Sequence, residues 1–349
     1  MQRTLRDHTP AQLRELLESW GEPNYRARQL AEGLFGRGAV SLDELTDLPK
    51  PLRQRLDREF GIGHLTLEES ESAADGTTKY LFGLADGARI ESVFLPRQEE
   101  RQTYCLSSQV GCRMACVFCA TGRMGLIRSL SAGEIVGQVL ELRRRHPAKR
   151  NPNLVFMGMG EPLDNFEALA DALETLHSEK GVGLSARRIT VSTSGIVDGI
   201  RRLKELGKPY GLAVSLTTGN EADRRELMPI AARTPMAELL DAAADYGRHT
   251  HRKVTLECAL IAGKNDGLEH AKLLLAIARR GPFKINLIPL NPVEKYAGLR
   301  PSDGSISTMV GFLWENGVVA TVRDSQGRSV DAACGQLVER QRRGDLKTE

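Results

Sequence analysis

Three cysteines stand within eight positions, Cys112-Arg113-Met114-Ala115-Cys116-Val117-Phe118-Cys119, in the spacing C-x3-C-x2-C. Thiolates so placed can hold three irons of a [4Fe–4S] cubane. The fourth iron then lacks a protein ligand and can take a small chelating group, such as the amine and carboxylate of an amino acid. S-adenosylmethionine (SAM) carries that group. An electron from the cluster can break its sulfonium carbon–sulfur bond and leave a carbon radical. Zinc is the alternative, because Cys105, upstream of the run, can complete an all-thiolate site. Buried structural cysteines brought together by chance are a weaker alternative. Gly111, Gly122 and Gly125 flank the run and let backbone fold tightly around a bound group.

The rest of the chain must position this run. The 349 residues are 41% hydrophobic and 27% charged, which suits an ordinary globular protein. The charged start, Met1-Gln2-Arg3-Thr4-Leu5-Arg6-Asp7-His8, has no apolar stretch behind it. No run of about 18 apolar residues occurs, so no membrane span is expected and the expected location is the cytoplasm. In that reducing compartment six cysteines point to metal or redox chemistry, not to a disulfide framework. The net charge of +3 accommodates a nucleic-acid partner without requiring one, and 5% aromatics excludes an aromatic-rich RNA surface.

The pattern divides near residue 97, in the polar stretch Arg97 to Gln102. Residues 1–96 read as a small helical accessory unit with a short β linker. Ser41 and Glu44 fit a capping box, and Leu52, Leu56 and Phe60 repeat at helical spacing. Apolar runs at Tyr80-Leu81-Phe82 and Val93-Phe94-Leu95 suggest a hairpin. Arg26, Arg28, Arg53, Arg55 and Arg58 make either solvated helix faces or an RNA-binding surface. Residues 97–349 alternate strand and helix. The expected strands are Tyr104 to Ser108, Asn153 to Met157, Arg188 to Val191, Gly211 to Val214, Lys253 to Leu260 and Lys284 to Pro289. Helices are expected from Ser131 as a cap, from Pro235 at a first helical position, and over Asp266 to Arg280. Such alternation predicts an α/β fold with parallel strands and helical crossovers, a partial β/α barrel with its chemistry just after the strands.

Several further stretches have shapes suited to a ligand. Gly158-Met159-Gly160-Glu161-Pro162 follows a strand, and Glu161 can take an ammonium. Ser192 can donate to a carboxylate or a ribose, or cap a helix. Asn291, on a loop between Pro289 and Pro292, offers both a donor and an acceptor to an adenine or ribose edge, or is a plain turn residue. Cys258 alternates with apolar neighbours and reads as core.

From about Gly21 to Leu337 the chain resembles the RlmN/Cfr family of radical SAM adenosine methyltransferases, and its RlmN branch most closely. The resemblance rests on Cys105-Leu106-Ser107-Ser108-Gln109-Val110-Gly111-Cys112, Phe156 to Leu163, Arg187 to Gly195, Asn286-Leu287-Ile288-Pro289-Leu290-Asn291-Pro292 and Asp331-Ala332-Ala333-Cys334-Gly335-Gln336-Leu337. It implies a radical SAM partial (β/α)6-type barrel and one [4Fe–4S] cluster on Cys112, Cys116 and Cys119. It implies SAM contacts at Gly160, Glu161, Ser192, Ser215, Leu216, Thr217 and Asn291. The family usually has His where this chain has Thr217. Two SAM molecules are implied per turnover. The first methylates Cys334, and the second yields a radical that activates this methyl group for addition to carbon 2 of adenine. Glu91 is the implied base, and Cys105 frees the product by forming a disulfide with Cys334. The implied partners are 23S ribosomal RNA, transfer RNA and an electron donor such as flavodoxin, with the enzyme a monomer. Basic runs at Arg143-Arg144-Arg145, Arg187-Arg188, Arg201-Arg202 and Arg340-Gln341-Arg342-Arg343 are the RNA-contact candidates, each also readable as a solvated face. The rival readings are a Cfr-like enzyme acting at carbon 8, another radical SAM class such as a methylthiotransferase, and a non-catalytic RNA-binding protein stabilised by zinc.

Overall fold

The computed structural model describes residues 3–96, 101–147, 150–293, 296–323 and 326–337. Three helices come first: α1 (Pro10–Ser19), α2 (Asn24–Ala31) and α3 (Lys50–Glu59). Thr9 caps α1 by accepting from the Gln12 amide at 3.3 Å, while the Gln12 side chain returns to the Thr9 amide at 3.1 Å. Leu52 and Leu56 bury one face of α3, and Phe60 lies beside Trp20. The expected capping box at Ser41 does not form. Leu42–Glu44 is only a single 3-10 turn, and the Glu44 carboxylate accepts from the Val40 amide at 3.3 Å instead. Asp7 ties this unit to the rest by accepting from the Gly133 amide at 2.9 Å.

Strands β1 (Thr66–Ser72), β2 (Thr78–Gly83) and β3 (Arg89–Pro96) form an antiparallel meander. It contains the expected hairpin. β1 adds an edge that periodicity did not reveal, because Thr66-Leu67-Glu68-Glu69-Ser70-Glu71-Ser72 is mostly exposed and acidic. Such charge protects an open edge from pairing with another chain. β4 (Gln102–Cys105) continues the sheet. The cysteine run lies within a small separate hairpin of β5 (Gln109–Cys112) and β6 (Gly125–Ser129), with α4 (Ala120–Met124) between.

The chain then alternates: α5 (Ala132–Arg145), β7 (Asn153–Phe156), α6 (Phe166–His177), β8 (Ile189–Thr193), α7 (Val197–Glu205), β9 (Gly211–Ser215) and α8 (Glu221–Leu227). There follow α9 (Met236–Thr250), β10 (Val254–Leu260), α10 (Leu268–Ala278), β11 (Phe283–Pro289), α11 (Asp303–Glu315) and β12 (Ala320–Val322). Ser131 caps α5 in the expected capping box with Glu134. Pro235 sits one place earlier than expected, at the cap of α9. The third expected helix is α10, trimmed at both ends.

Among the described residues, one sheet runs in the order β1-β2-β3-β4-β7-β8-β9-β10-β11-β12. From β4 to β12 all pairs are parallel, so the six expected strands are joined by a short seventh. The sheet does not close, and its free edges are β1 and β12. The helical unit ends before β1, and residues 66–96 belong to the same sheet as the barrel strands. The expected boundary at residue 97 lies outside the described residues, as does the basic run from Arg340 to Arg343. No helix among the described residues is long and apolar enough to cross a membrane.

Candidate active site

The ends of the parallel strands converge on a cavity of about 180 Å³. Cys112, Cys116 and Cys119 line one wall, and Met157, Gly160, Glu161, Ser192, Ser215, Thr217, Asn291 and Cys334 line the others. Cys112 ends β5, and the other two cysteines follow in the loop leading to α4. Gly111 has φ +77, and a Cβ there would fall 2.0 Å from the Gly125 carbonyl oxygen, so the hairpin closes only over glycine. Burial pushes the thiol of Cys112 up to about 12 and raises those of Cys116 and Cys119. These thiols stay neutral until something cationic draws off their protons, as a bound metal does. Among the described residues no set of three His, Cys, Asp or Glu is already gathered as a metal cage.

The donor chemistry nevertheless fits an anionic cluster, because a buried cation faces it. Arg224 on α8 is fully buried, and one Nη donates to the Ser194 carbonyl at 2.7 Å. Its Nε and other Nη have no hydrogen-bond partner among the described residues. Burial lowers its pKa, and charge on Glu221 and Cys116 opposes that shift. Nothing in the helix sequence Glu221-Ala222-Asp223-Arg224-Arg225-Glu226-Leu227 distinguishes Arg224 from a solvated neighbour.

The expected SAM residues are mostly together. Gly160, at φ +99, brings its backbone against Gln109, where a Cβ would lie 2.6 Å from that side chain. Glu161 is buried, and its Oε2 accepts from the Ser194 amide at 2.7 Å and the Ser194 hydroxyl at 2.8 Å. Burial raises the Glu161 pKa despite those bonds, so an ammonium beside it would be welcome. The Ser192 hydroxyl donates to the Phe156 carbonyl at 2.5 Å while its oxygen still faces the cavity. The Asn291 Nδ2 donates to the Cys334 carbonyl at 3.1 Å, and its Oδ1 is buried without a hydrogen-bond partner among the described residues. An amino group of a nucleoside would satisfy that acceptor. Leu216 does not face the cavity. Its side chain is in the core, and its amide donates to the Glu257 carbonyl at 2.9 Å. Thr217 adopts φ +65, rare for a β-branched residue, with its carbonyl accepting from Asn265 at 2.9 Å.

Cys334 arrives from the other end of the chain. Its segment is held by the Ala120 amide on the Gly335 carbonyl at 2.8 Å and by the Gln336 side chain on the Pro292 carbonyl at 3.0 Å. Cys105 on β4 does not line the main cavity. It shares with Cys334 a smaller void of about 20 Å³. All six cysteines are free, so the disulfide implied for Cys105 and Cys334 is not present in this state, and Cys258 is fully buried as expected of a core residue. Burial, then charge on Cys334, pushes the Cys105 thiol up to about 12. Glu91 on β3 is buried with its carboxylate 3.4 Å from the Lys79 ammonium, outside the cavity lining.

Sequence reasoning missed two charged residues at the centre. Arg323 lines both voids, and one Nη reaches the Met157 sulfur at 3.3 Å. Charge on Cys334, then on Glu257 and Cys105, raises its pKa against the effect of burial. Glu257 on β10 accepts from Asn286 at 2.8 Å, and its pKa is raised by burial. The alternation in β10 was the available signal: Leu256, Cys258 and Leu260 are fully buried, which sends Thr255, Glu257 and Ala259 to the other face.

The profile of the radical SAM superfamily matches residues 106–274, and one described as a ribosomal RNA large subunit methyltransferase N-terminal domain matches residues 4–62. The chain is 44% identical over 338 residues to a probable dual-specificity RNA methyltransferase RlmN of Symbiobacterium thermophilum, covering 95% of this chain and 90% of that one. It is also 44% identical over 328 residues to the dual-specificity RNA methyltransferase RlmN of Nitratidesulfovibrio vulgaris, covering 91% and 89%. The crystal structure of a radical SAM methyltransferase from Sphaerobacter thermophilus matches with a TM-score of 0.91 at 44% identity, over 96% of this chain and 98% of that one.

Proposed function

Because the chain belongs to the RlmN family of radical SAM methyltransferases, we propose that it methylates carbon 2 of an adenosine in RNA, with Cys334 carrying the methyl group. The proposed substrates are 23S ribosomal RNA, in its peptidyl-transferase region, and the adenosine beside the anticodon of transfer RNA. The observation that most supports this is the double position of Cys334. It faces the cavity walled by the three clustered cysteines, and it shares the small void with Cys105. A thiol in the first place can meet SAM. A thiol in the second can be attacked by another thiol.

Carbon 2 lies between two ring nitrogens and does not release its hydrogen readily as a proton, so a polar methyl transfer is unfavourable. A bound cluster and SAM supply the one-electron chemistry that avoids this. The chain supplies placement. Cys112, Cys116 and Cys119 would hold the cluster, with Arg224 balancing its charge. Glu161 and Asn291 would orient SAM through its ammonium and its adenine. Cys334 accepts a methyl group as thiolate. Later the Cys105 thiolate attacks the Cys334 sulfur, a disulfide forms between them and the carbon–sulfur bond to the base breaks. The released carbon keeps the electron pair and takes a proton, and an external thiol or electron donor reduces the disulfide again. Arg323 stands beside both sulfurs as a fixed cation. Glu91 is the proposed base, its carboxylate beside the Lys79 ammonium in this structure.

In the same proposal residues 1–96 form an accessory region that contacts RNA, and residues 97–349 form the catalytic barrel with the Cys334 segment. The protein acts as a cytoplasmic monomer reduced by a donor such as flavodoxin. The test is nucleoside mass spectrometry on RNA incubated with anaerobically reconstituted protein, SAM and reductant, comparing wild type with Cys334→Ala. A methyladenosine made by wild type alone, co-eluting with the carbon 2 standard, is expected. Co-elution with the carbon 8 standard would move the chain to the Cfr-like activity.

A further inference from the structure

The interior of the curved sheet is divided in two. Inward side chains near the strand ends, among them Met157, Ser192, Ser215 and Ala259, line the cavity of about 180 Å³. Those near the strand starts, Thr103, Asn153, Thr190, Thr255 and Lys284, line a second chamber of about 1160 Å³. Met157, Glu257 and Arg323 line both and so form the partition. Met157 and Arg323 also border the void shared by Cys105 and Cys334. The lower chamber therefore ends against the residues that flank the methyl carrier.

Its wall has the chemistry of a polar ligand site. The Asn286 amide donates to Glu257 at 2.8 Å, and the Thr321 hydroxyl donates to the Asn286 oxygen at 2.9 Å. Arg187, Arg188 and Lys284 add three cations to the lining. None of these three forms an ion pair with another described residue. Among the described residues the other basic runs have acid partners: Arg144 and Arg145 share Glu141, Arg201 meets Asp198 and Glu238, and Arg202 meets Glu167. At the opposite end, the Cys334 segment and the loop of Asn291 and Pro292 are bonded across the cavity.

We infer that the target nucleotide of the RNA enters through the chamber at the strand starts, with its flanking phosphates on Arg187, Arg188 and Lys284, and meets Cys334 across the partition of Met157, Glu257 and Arg323. The inference rests on the proposed RNA methylation and adds the route of entry. An enzyme that acts on a base ring takes an unstacked nucleotide into a pocket. The chamber exceeds the roughly 300–1,000 Å³ of ordinary small-ligand pockets, which suits a nucleotide still joined to its neighbours. Cations without an ion pair to another described residue, beside a polar hollow, suit a single-stranded phosphate backbone. The Met157 thioether is flexible and its contact with Arg323 weak, so this part of the partition can swing aside.

The probe is an anticodon stem-loop RNA. Thr255→Trp puts a bulky ring into the chamber on the same strand face as Glu257, and the double variant Arg187→Glu/Lys284→Glu reverses charge at two exposed positions. Arg201→Glu/Arg202→Glu is the control. Thr255→Trp is expected to keep iron loading and SAM binding while methylation falls by about a hundredfold, the scale of a displaced reactant. The Arg187/Lys284 variant is expected to weaken RNA binding and to lower the salt slope by about 1.4, from about 0.7 for each of two lost contacts. The control is expected to behave as wild type in both. Because Arg187 and Lys284 are exposed, their arm stands even if Thr255→Trp misfolds. Full methylation by Thr255→Trp, or an unchanged salt slope in the Arg187/Lys284 variant, would overturn the route while leaving the activity intact. A wild type that methylates no adenosine would overturn the route together with the function.

Discussion

Replacing Gly160 by alanine tests whether the loop that carries Glu161 is built around close backbone contact. Gly160 has φ +99, where an L residue costs about 1–3 kcal/mol. The new Cβ would lie 2.6 Å from the Gln109 Cβ, 2.7 Å from its amide nitrogen and 2.8 Å from the Ser108 hydroxyl. Gln109 cannot readily give way. Its side chain accepts from the Glu161 amide at 2.9 Å and donates to Asp164 at 2.9 Å. Forcing a methyl group into such packing adds about 1–3 kcal/mol, so the expected loss is about 2–6 kcal/mol. Gln109 begins the strand that ends on Cys112, so relief by movement must shift Glu161 relative to the cysteines. Denaturant unfolding of the metal-free protein should show the loss, and calorimetry should show SAM binding weakened by about tenfold for every 1.4 kcal/mol of misplacement. Gly183→Ala separates the two causes, because Gly183 has φ +75 with nothing within 4 Å of its Cβ. It should cost about 1–2 kcal/mol and leave SAM binding alone. If Gly160→Ala unfolds within about 0.5 kcal/mol of wild type and binds SAM equally well, the close-contact argument is wrong.

Four other outcomes are expected. Burial raises the Glu161 pKa, so the folded protein holds that proton more tightly than the unfolded chain does; the stability this gives is present at low pH and lost as pH rises through the raised value. SAM affinity should climb across the same window as the carboxylate ionises, and the climb should vanish in Glu161→Gln. The Cys105 thiol is pushed from 9.0 up to about 12, so its contribution is complete below 9 and lost toward 12 at about 1.4 kcal/mol per pH unit. Cys105→Ala should flatten the unfolding profile there by that slope. Arg224→Met should lower iron retention, measured after desalting, yet leave metal-free stability nearly unchanged, because the lost bond to Ser194 is offset by no longer burying a charge whose other two nitrogens lack partners among the described residues. Iron–sulfur absorption should disappear with Cys112→Ser, Cys116→Ser or Cys119→Ser and survive Cys105→Ala; a four-thiolate zinc site would lose its metal in all four.

The parts of this structure legible in the sequence are those encoded by neighbours in the chain. Ser131 and Glu134 announce a helix start because both halves of the cap lie within one turn. The cysteine run announces a cluster because its ligands are nearly contiguous. β1 was hidden because an exposed acidic strand lacks apolar alternation, and β5 and β6 because each has only four or five residues. Arg224, Glu257 and Arg323 escaped notice for a different reason. A buried charge acquires its meaning from strand register and from groups far away in sequence, and locally it reads as surface. Glu161 was found as a site residue, but the engagement of its carboxylate by Ser194 depends on the spacing between β8 and the loop after β7. Two of the basic runs differ by their partners: Arg201 and Arg202 pair with acids, and Arg187 pairs with none among the described residues.

A closed barrel has its girth set by strand number and stagger. Among the described residues the present sheet has no such constraint, since β1 and β12 do not pair. What spans toward the gap is the segment of Cys334. The Gly327 amide donates to Asp75 at 3.0 Å beside the β1–β2 turn, and Thr121 donates to the Leu337 carbonyl at 3.3 Å beyond the cysteine loop. The bore is thus adjusted by a lace and not by the staves. Substitutions in a dozen residues that belong to no strand could widen or narrow the reaction space, leaving the load-carrying sheet untouched. The same lace carries the reactive sulfur, so any change in bore also moves the methyl group, and the fit of the enlarged space and the reach of the carrier must change together.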